Sequence, residues 1–257
     1  MFPHHHYSVD FFAFSGMLTK TKAIVLSNMK FKENTLLLRL YTEEYGRCDY
    51  LLFGAQSKKG GKKTAFIQPF SLVQIDAEHR PNKDLQVIKE IKLDTPNNDL
   101  LFNPYKNTLA LFLSEILIHI LRTNEKDEPL FEFLSQSIKY LDLAEKGIAN
   151  FHIAFLCRLT IFLGFQPNME KSAGSRYFDF KQATFVDLPP FHKQYLNTTT
   201  AQFLDVLMRM NYQNMHLYRF SRDERANILD HILEYYRLHT QGMGDLKSLS
   251  VLKEVFD

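Results

Sequence analysis

Tryptophan is missing from the 257 residues, and cysteine occurs only at Cys48 and Cys157, each inside an apolar stretch. Two thiols so far apart make neither a disulfide framework nor a four-cysteine zinc site, which is how a chain kept in a reducing cytosol reads. Long apolar runs are missing too. The best candidate, LALFLSEILIHIL at Leu109–Leu121, spans thirteen residues and carries Glu115 and His119, too short and too polar for a membrane helix. The first sixteen residues, MFPHHHYSVDFFAFSG, have no basic n-region and only a four-residue apolar patch, so they do not read as a secretory signal.

Signatures of catalysis are equally scarce. The chain holds no G-x-S-x-G, no H-E-x-x-H and no His/Cys cluster at metal-ligand spacing. Cys157 in FLCRL reads as a small core residue, because a catalytic thiolate needs a polar, accessible setting. His119 and His152 fall within apolar helical sequence and read as core or groove residues, while His79 and His239 read as surface residues. The triplet His4–His6 is of a kind that binds metal, but at a terminus it reads as a solvated tail. The expectation is a binding protein with no cofactor and no metal, not an enzyme.

What is abundant is the aromatic ring: 23 Phe and 12 Tyr, in a composition that is 45% hydrophobic and 23% charged, as in globular proteins. The net charge of +2 hides an asymmetry. Between Lys20 and Lys92 there are 14 Lys/Arg against 8 Asp/Glu, whereas from Asp94 onward there are 17 against 20. A basic front joined to a mildly acidic back suggests two units with separate partners.

The front unit reads as five strands: Ala23–Phe31, Asn34–Thr42, Gly46–Gly54, Phe70–Glu78 and Leu85–Leu93. Leu36, Leu38 and Leu40 alternate onto one face, and Val73, Ile75 and Ala77 oppose the more polar Leu72, Gln74 and Asp76. Five short antiparallel strands leave two exposed edges unless they close, so a small barrel is expected, of OB or SH3-like type. The back unit reads as helices. Leu109, Phe112, Leu113, Ile116, Leu117, Ile120 and Leu121 keep the helical period without a miss. A second amphipathic stretch follows in PLFEFLSQSIKYLDLAEKG, and IANFHIAFLCRLTIFLG, apolar nearly all round, should be the buried central helix. Ser221 and Glu224 form a capping box ahead of Leu229, Ile232, Leu233 and Tyr236, and KSLSVLKEVF reads as a last short helix. YFDF and ATFVDL, between Gln166 and Asn197, look like a small hairpin.

Between two strands lies GAQSKKGGKK, Gly54–Lys63, with four lysines and three glycines. A nucleotide-binding P-loop needs G-x-x-x-x-G-K-[ST] running straight into a helix, but the sixth position from Gly54 is Lys59, and strand-like sequence with Pro69 follows. A flexible basic loop on a small barrel suits a phosphodiester backbone, which asks for charge without fixed geometry. The alternative is a solvated loop whose lysines maintain solubility.

Several of these segments, in order and spacing, carry a resemblance. KAIVLSNMKFKENTLLLRLYTEEYGRCDYLLFGAQSKK at the barrel, LFNPYKNTLALFLSEIL and GIANFHIAFLCRLTIFLGFQPN in the helices, and the ending ILEYYRLHTQGMGDLKSLSVLKEVF resemble the bacterial DNA-repair and recombination mediator family RecO. The resemblance covers nearly everything after residue 16. It implies an α+β fold: an N-terminal five-stranded OB-fold barrel at 17–95, then an all-helical domain at 96–257 with a small inserted hairpin, behind an extension at 1–16 expected to be disordered. It implies binding of single- and double-stranded DNA, annealing of complementary strands, and, with RecR, loading of RecA onto DNA coated by single-stranded-DNA-binding protein. It implies a cytoplasmic, nucleoid-associated protein without a membrane segment, whose helical domain offers an apolar groove with a basic rim to the acidic, apolar tail of the single-stranded-DNA-binding protein. Many RecO-like chains carry four zinc-binding cysteines after the third helix. Asn168–Asn197 has none, so no zinc is carried over and the hairpin must hold by apolar packing.

Lys58, Lys59, Lys62 and Lys63 are the expected DNA contacts, with Arg39, Arg47, Arg80 and Lys83 as further candidates on the barrel face or its turns. Tyr41, Tyr50 and Phe53 are candidates for stacking on bases, each equally readable as core. A non-catalytic scaffold whose barrel binds protein is the competing class, and salt-sensitive binding of oligonucleotides separates the two.

Overall fold

The computed structural model describes residues 17–55, 66–80, 83–96, 99–121 and 125–255. The extension at 1–16 and the loop lysines Lys58, Lys59, Lys62 and Lys63 lie outside the described residues.

Strands β1 (Met17–Lys32), β2 (Thr35–Thr42), β3 (Gly46–Phe53), β4 (Leu72–His79) and β5 (Leu85–Thr95) close into a barrel of order β1-β2-β3-β5-β4. All neighbours are antiparallel except β3 and β5, which pair in parallel from Asp49↔Leu85 to Leu52↔Ile88. This is the OB arrangement, and closure removes the open edges. β1 begins six residues before the expected Ala23 because its first half pairs with β4, Met17↔His79 to Ile24↔Leu72, while its second half pairs with β2. The segment TKTK lacks an apolar signal, so only its strand partner reveals it.

Inside the barrel, alternate residues Val25, Leu38, Leu40, Tyr50, Val73 and Ile75 are fully buried. A second, larger core joins the outer side of the barrel to the helices. Ile24, Leu26, Tyr41, Phe70 and Leu72 belong to the same apolar cluster as Leu109, Leu113, Phe131, Leu134, Phe155 and Leu159.

The helices are α1 (Pro104–Ile120), α2 (Glu128–Leu143), α3 (Phe151–Phe162), α4 (Thr198–Ala201), α5 (Leu204–Arg209), α6 (Arg222–His239) and α7 (Ser248–Val255). Asn103 caps α1 by accepting from the Tyr105 and Lys106 N–H groups, with Pro104 in the first turn. The capping box at α6 forms as the sequence indicates, Ser221 N–H donating to Glu224 Oε2 at 2.7 Å and Glu224 N–H to Ser221 Oγ at 3.2 Å. α3 is the central helix, with Phe151, Ile153, Ala154, Phe155, Leu156 and Leu159 fully buried. Its Leu156 carbonyl accepts from the Tyr236 hydroxyl at 2.7 Å. The short α4 and α5 had no periodic signal, although Asn197, which accepts from the N–H groups of Thr199 and Thr200, is a recognisable cap.

The expected hairpin is a three-stranded sheet, β7-β6-β8, of β6 (Tyr177–Asp179), β7 (Thr184–Val186) and β8 (Tyr195–Leu196). Phe178, Phe180 and Phe185 pack with Leu204 and Tyr235, the apolar packing that the sequence demanded. A polar pin adds to it. Asp179, 1% exposed, accepts the Lys181 and Gln182 N–H groups on Oδ1, and its Oδ2 lies 3.4 Å from His192 Nε2.

A clamp joins the end of the barrel to the helices. Lys106 is 2% exposed, and its ammonium donates to the Asp142 carbonyl at 2.7 Å and meets Asp99 Oδ2 at 2.8 Å. The Asp142 carboxylate accepts the N–H groups of Asp99 and Leu100 at 2.9 and 2.7 Å, fixing the chain as it enters α1. The ammonium and a hydrogen bond from Asn103 hold the Asp99 carboxyl below the usual range, the Lys106 bond being the main cause.

Candidate nucleic-acid interface

Strand register sorts the outer face of the barrel into rows. At the helical end, Ile24, Tyr41 and Arg47 pair across β1, β2 and β3. The next row is Ser27, Arg39, Asp49 and Leu85, and the one after it Met29, Leu37, Leu51 and Val87. The last is Lys32, Thr35 and Phe53, farthest from the helices.

The first row is closed. Tyr41 is 3% exposed, its ring stacked 6.2 Å from that of Phe131, and burial pushes its hydroxyl pKa up. Arg47 Nη1 donates to the Leu121 carbonyl at 3.3 Å, and Lys126 reaches Glu44 at 3.1 Å. Tyr41 therefore cannot stack on a base, and Arg47 serves as a strut between barrel and helices. Tyr50, also a stacking candidate, points the opposite way. It is fully buried inside the barrel, in phase with Cys48 and Leu52, and its face is unavailable to any ligand. Both corrections follow from burial.

The remaining rows are open. Arg39 lies there, its Nε 3.5 Å from Asp49 Oδ2, which offsets part of its charge. Phe53 is 59% exposed, as a stacking residue must be. Sequence reasoning missed Phe31, near the end of β1 and 46% exposed, with Lys32 Nζ 5.7 Å from the ring centroid. It also missed the exposed Lys30 and Lys89. The signal was available in NMKFK, where lysines alternate with apolar residues.

Arg80 and Lys83 lie on the β4–β5 turn. Gln86, 4% exposed, staples that turn: its Nε2 donates to the carbonyls of Arg80 and Lys83, and its Oε1 accepts the Arg80 N–H at 2.7 Å. The Arg80 guanidinium bonds Glu78, which Lys89 also approaches at 3.2 Å. Hydrogen bonds from Arg80 first, then Lys89, hold the Glu78 carboxyl below its ordinary range. In an OB barrel the β2–β3 face and the β1–β2 and β4–β5 loops form the ligand side, and Phe31, Lys32, Arg39, Phe53, Arg80 and Lys83 all belong to it.

Two cavities among the described residues of the helical unit differ in character. One, of about 230 Å³, is walled by Phe178, Phe180, Leu207, Ile228 and Tyr235, and neither lysine nor arginine lines it. The other, of about 190 Å³, lies between α3, α6 and α7, where Arg222, Asp223, Arg225 and Lys253, the last ion-paired with Asp230 at 3.0 Å, surround Ala226, Leu229 and Leu252. Among the described residues no cluster of three His, Cys, Asp or Glu is placed to hold a metal ion, and no helix is long and apolar enough to cross a membrane.

The family model for the N-terminal part of recombination protein O matches residues 17–96, and that for its C-terminal part matches residues 101–250. The chain is 43% identical over 242 residues to the DNA repair protein RecO of Bacteroides fragilis, covering 94% of this chain and 100% of that one. It is 40% identical over 240 residues to the DNA repair protein RecO of Phocaeicola vulgatus, covering 93% of this chain and all of the relative. It is 34% identical over 242 residues to that of Flavobacterium psychrophilum, with 93% of this chain covered. A barrel with its ligand face open, sealed at one end onto a helical unit, and a match over both parts place this chain in the RecO family of DNA repair proteins.

Proposed function

We propose that the protein is a non-catalytic, cytoplasmic and nucleoid-associated recombination mediator. Its barrel binds single- and double-stranded DNA and anneals complementary strands, and with RecR it helps load RecA onto DNA coated by single-stranded-DNA-binding protein. The observation that carries the reading is the open outer face of the barrel, rimmed by Lys32, Lys83 and Lys89 and continued in sequence by Lys58, Lys59, Lys62 and Lys63. Each lysine on a phosphate releases condensed counterions, so affinity for single strands falls steeply with salt. Changing Lys58, Lys59, Lys62 and Lys63 to alanine is expected to flatten the log–log salt slope by about 3, roughly 0.7 per phosphate contact on a single strand. An unchanged slope in titrations between low and moderate salt returns the loop to solubility lysines.

The helical unit, net negative in sequence, suits protein better than DNA. The cavity at α3, α6 and α7, where Arg222 and Arg225 outnumber Asp223, offers charge complementarity to an acidic, apolar tail: cations for the acids, and Leu229 and Leu252 for the apolar end. The expected result is that the full chain speeds annealing of DNA coated by its cognate single-stranded-DNA-binding protein without ATP. Deleting that protein's tail, or changing Arg222 and Arg225 to Glu, should remove most of the acceleration on coated DNA and spare annealing of naked strands. Equal loss on both substrates would show that the helical unit does not receive the tail.

A further inference from the structure

We infer that the β7–β8 loop and the apolar cavity beside it are two halves of one contact, through which a second copy of this chain docks: the Phe191 ring of each copy enters the cavity of the other. The loop reads Asp187-Leu188-Pro189-Pro190-Phe191, and its two large apolar side chains stand in solvent, Leu188 78% and Phe191 113% exposed. Exposed apolar groups held on a rigid support mark contact sites. This loop is held at both ends. Before the prolines, the Asp187 carboxylate accepts from Ser172 Oγ at 2.9 Å, and after them His192 Nε2 lies 3.4 Å from the buried Asp179. Pro189 and Pro190 fix their own backbone φ angles between those ends. An arm built this way loses little freedom when its ring is bound.

The socket is the cavity of about 230 Å³ walled by Phe178, Phe180, Leu207, Ile228 and Tyr235. An apolar cavity of about 150 Å³ takes up benzene, so a phenyl ring fits with room to spare. Phe203, Glu224 and Asn227 also line it and are exposed, so its mouth is open to solvent. Phe191 is not among its lining residues, so the ring does not fill the cavity of its own chain. Arm and socket nevertheless share one face. Lys193 surrounds a small hollow together with Thr200 and His231, and those two residues line the cavity as well. An anchor that neighbours its own socket exchanges reciprocally across a twofold axis and closes at two copies, whereas one on the far side of the molecule builds an open chain. Charge agrees: Lys193 lies two residues from Phe191, and Glu224 is the one acid lining a cavity that neither lysine nor arginine lines. Burying Phe191 and Leu188 of both copies, with an equal area of socket, removes roughly 1,200 Å² from water, the lower end of specific interfaces. A second copy is the occupant these features select, because one chain carries both the anchor and the hole it fits.

The test uses the full chain without DNA, in sedimentation velocity from low micromolar to millimolar concentration. A monomer–dimer equilibrium with a dissociation constant in the micromolar range is expected. Phe191→Ser removes the anchor, and Asn227→Trp fills the socket mouth from an exposed helical position, so both variants keep their fold, which far-ultraviolet circular dichroism verifies. Each is expected to weaken dimerisation by about 1,000-fold, because the twofold axis removes two anchors at once and each is worth roughly 30-fold. The two variants are then mixed, one carrying a fluorophore. A Phe191→Ser chain keeps its socket and an Asn227→Trp chain keeps its ring, so the mixture restores one contact and associates about 30-fold more tightly than either variant with itself. A wild-type chain that stays monomeric throughout, a dimer that survives either substitution, or a mixture no tighter than its components overturns the inference. The reading of the barrel as a DNA-binding unit stands apart from each of these outcomes, because no barrel residue takes part.

Discussion

Replacing Phe70 by alanine is expected to lower the melting temperature by roughly 10 °C and to do so for barrel and helices in one transition. Phe70 is fully buried between the two units, its ring centroid 6.4 Å from that of Phe155, in the cluster that also holds Ile24, Leu72, Leu109 and Phe131. Large-to-small changes at such sites cost about 3–5 kcal/mol. The backbone offers no relief, because Phe70 adopts a φ of 66°, held by its N–H to the Val25 carbonyl at 2.8 Å, and alanine keeps that strained conformation while losing the ring. The charge asymmetry of the sequence suggests two independent units, but the shared core binds them energetically. Helix content followed by circular dichroism and barrel amides followed by hydrogen exchange should report the same midpoint. Two transitions, with only one displaced by the substitution, would show that the shared core does not couple the units.

Asp142→Ala should be nearly as damaging, whereas Lys106→Met should not. Removing the Asp142 carboxylate strips the acceptor from two N–H groups, those of Asp99 and Leu100, each costing about 1–3 kcal/mol when left buried without a partner. Methionine at 106 leaves Asp99 half exposed, where water can solvate its carboxylate, so the cost reduces to the donor lost by the Asp142 carbonyl, about 1 kcal/mol. The contrast is the diagnostic outcome in chemical denaturation. If Lys106→Met destabilises as much as Asp142→Ala, the ammonium and not the carboxylate organises the entry into α1.

Much of this architecture is legible because its signals are local. The seven apolar positions from Leu109 to Leu121 fix α1 on period alone, and Ser221 with Glu224 fixes the start of α6. Tyr50 alternates with Cys48 and Leu52, but alternation alone left it readable as core or as a stacking residue, and only its burial inside the barrel decides. Tyr41 was not legible either, because it occupies an outward position and is covered by Phe131, ninety residues farther along the chain. Alternation distinguishes the two faces of a strand but does not say which stretch of the outer face another unit will cover. For the same reason the open rows emerge only when the registers of β1, β2 and β3 are laid side by side.

The seam between barrel and helices also has a temporal side. A ribosome delivers the barrel first, and Ile24, Leu26, Tyr41, Phe70 and Leu72 then stand on its outside with nothing to cover them, since their partners Phe131 and Phe155 are synthesised later. During that interval the nascent chain shows a greasy flank of the kind that chaperones hold, and a barrel cut off near residue 96 would keep that flank permanently. The helical unit is in this sense an intramolecular escort for the barrel.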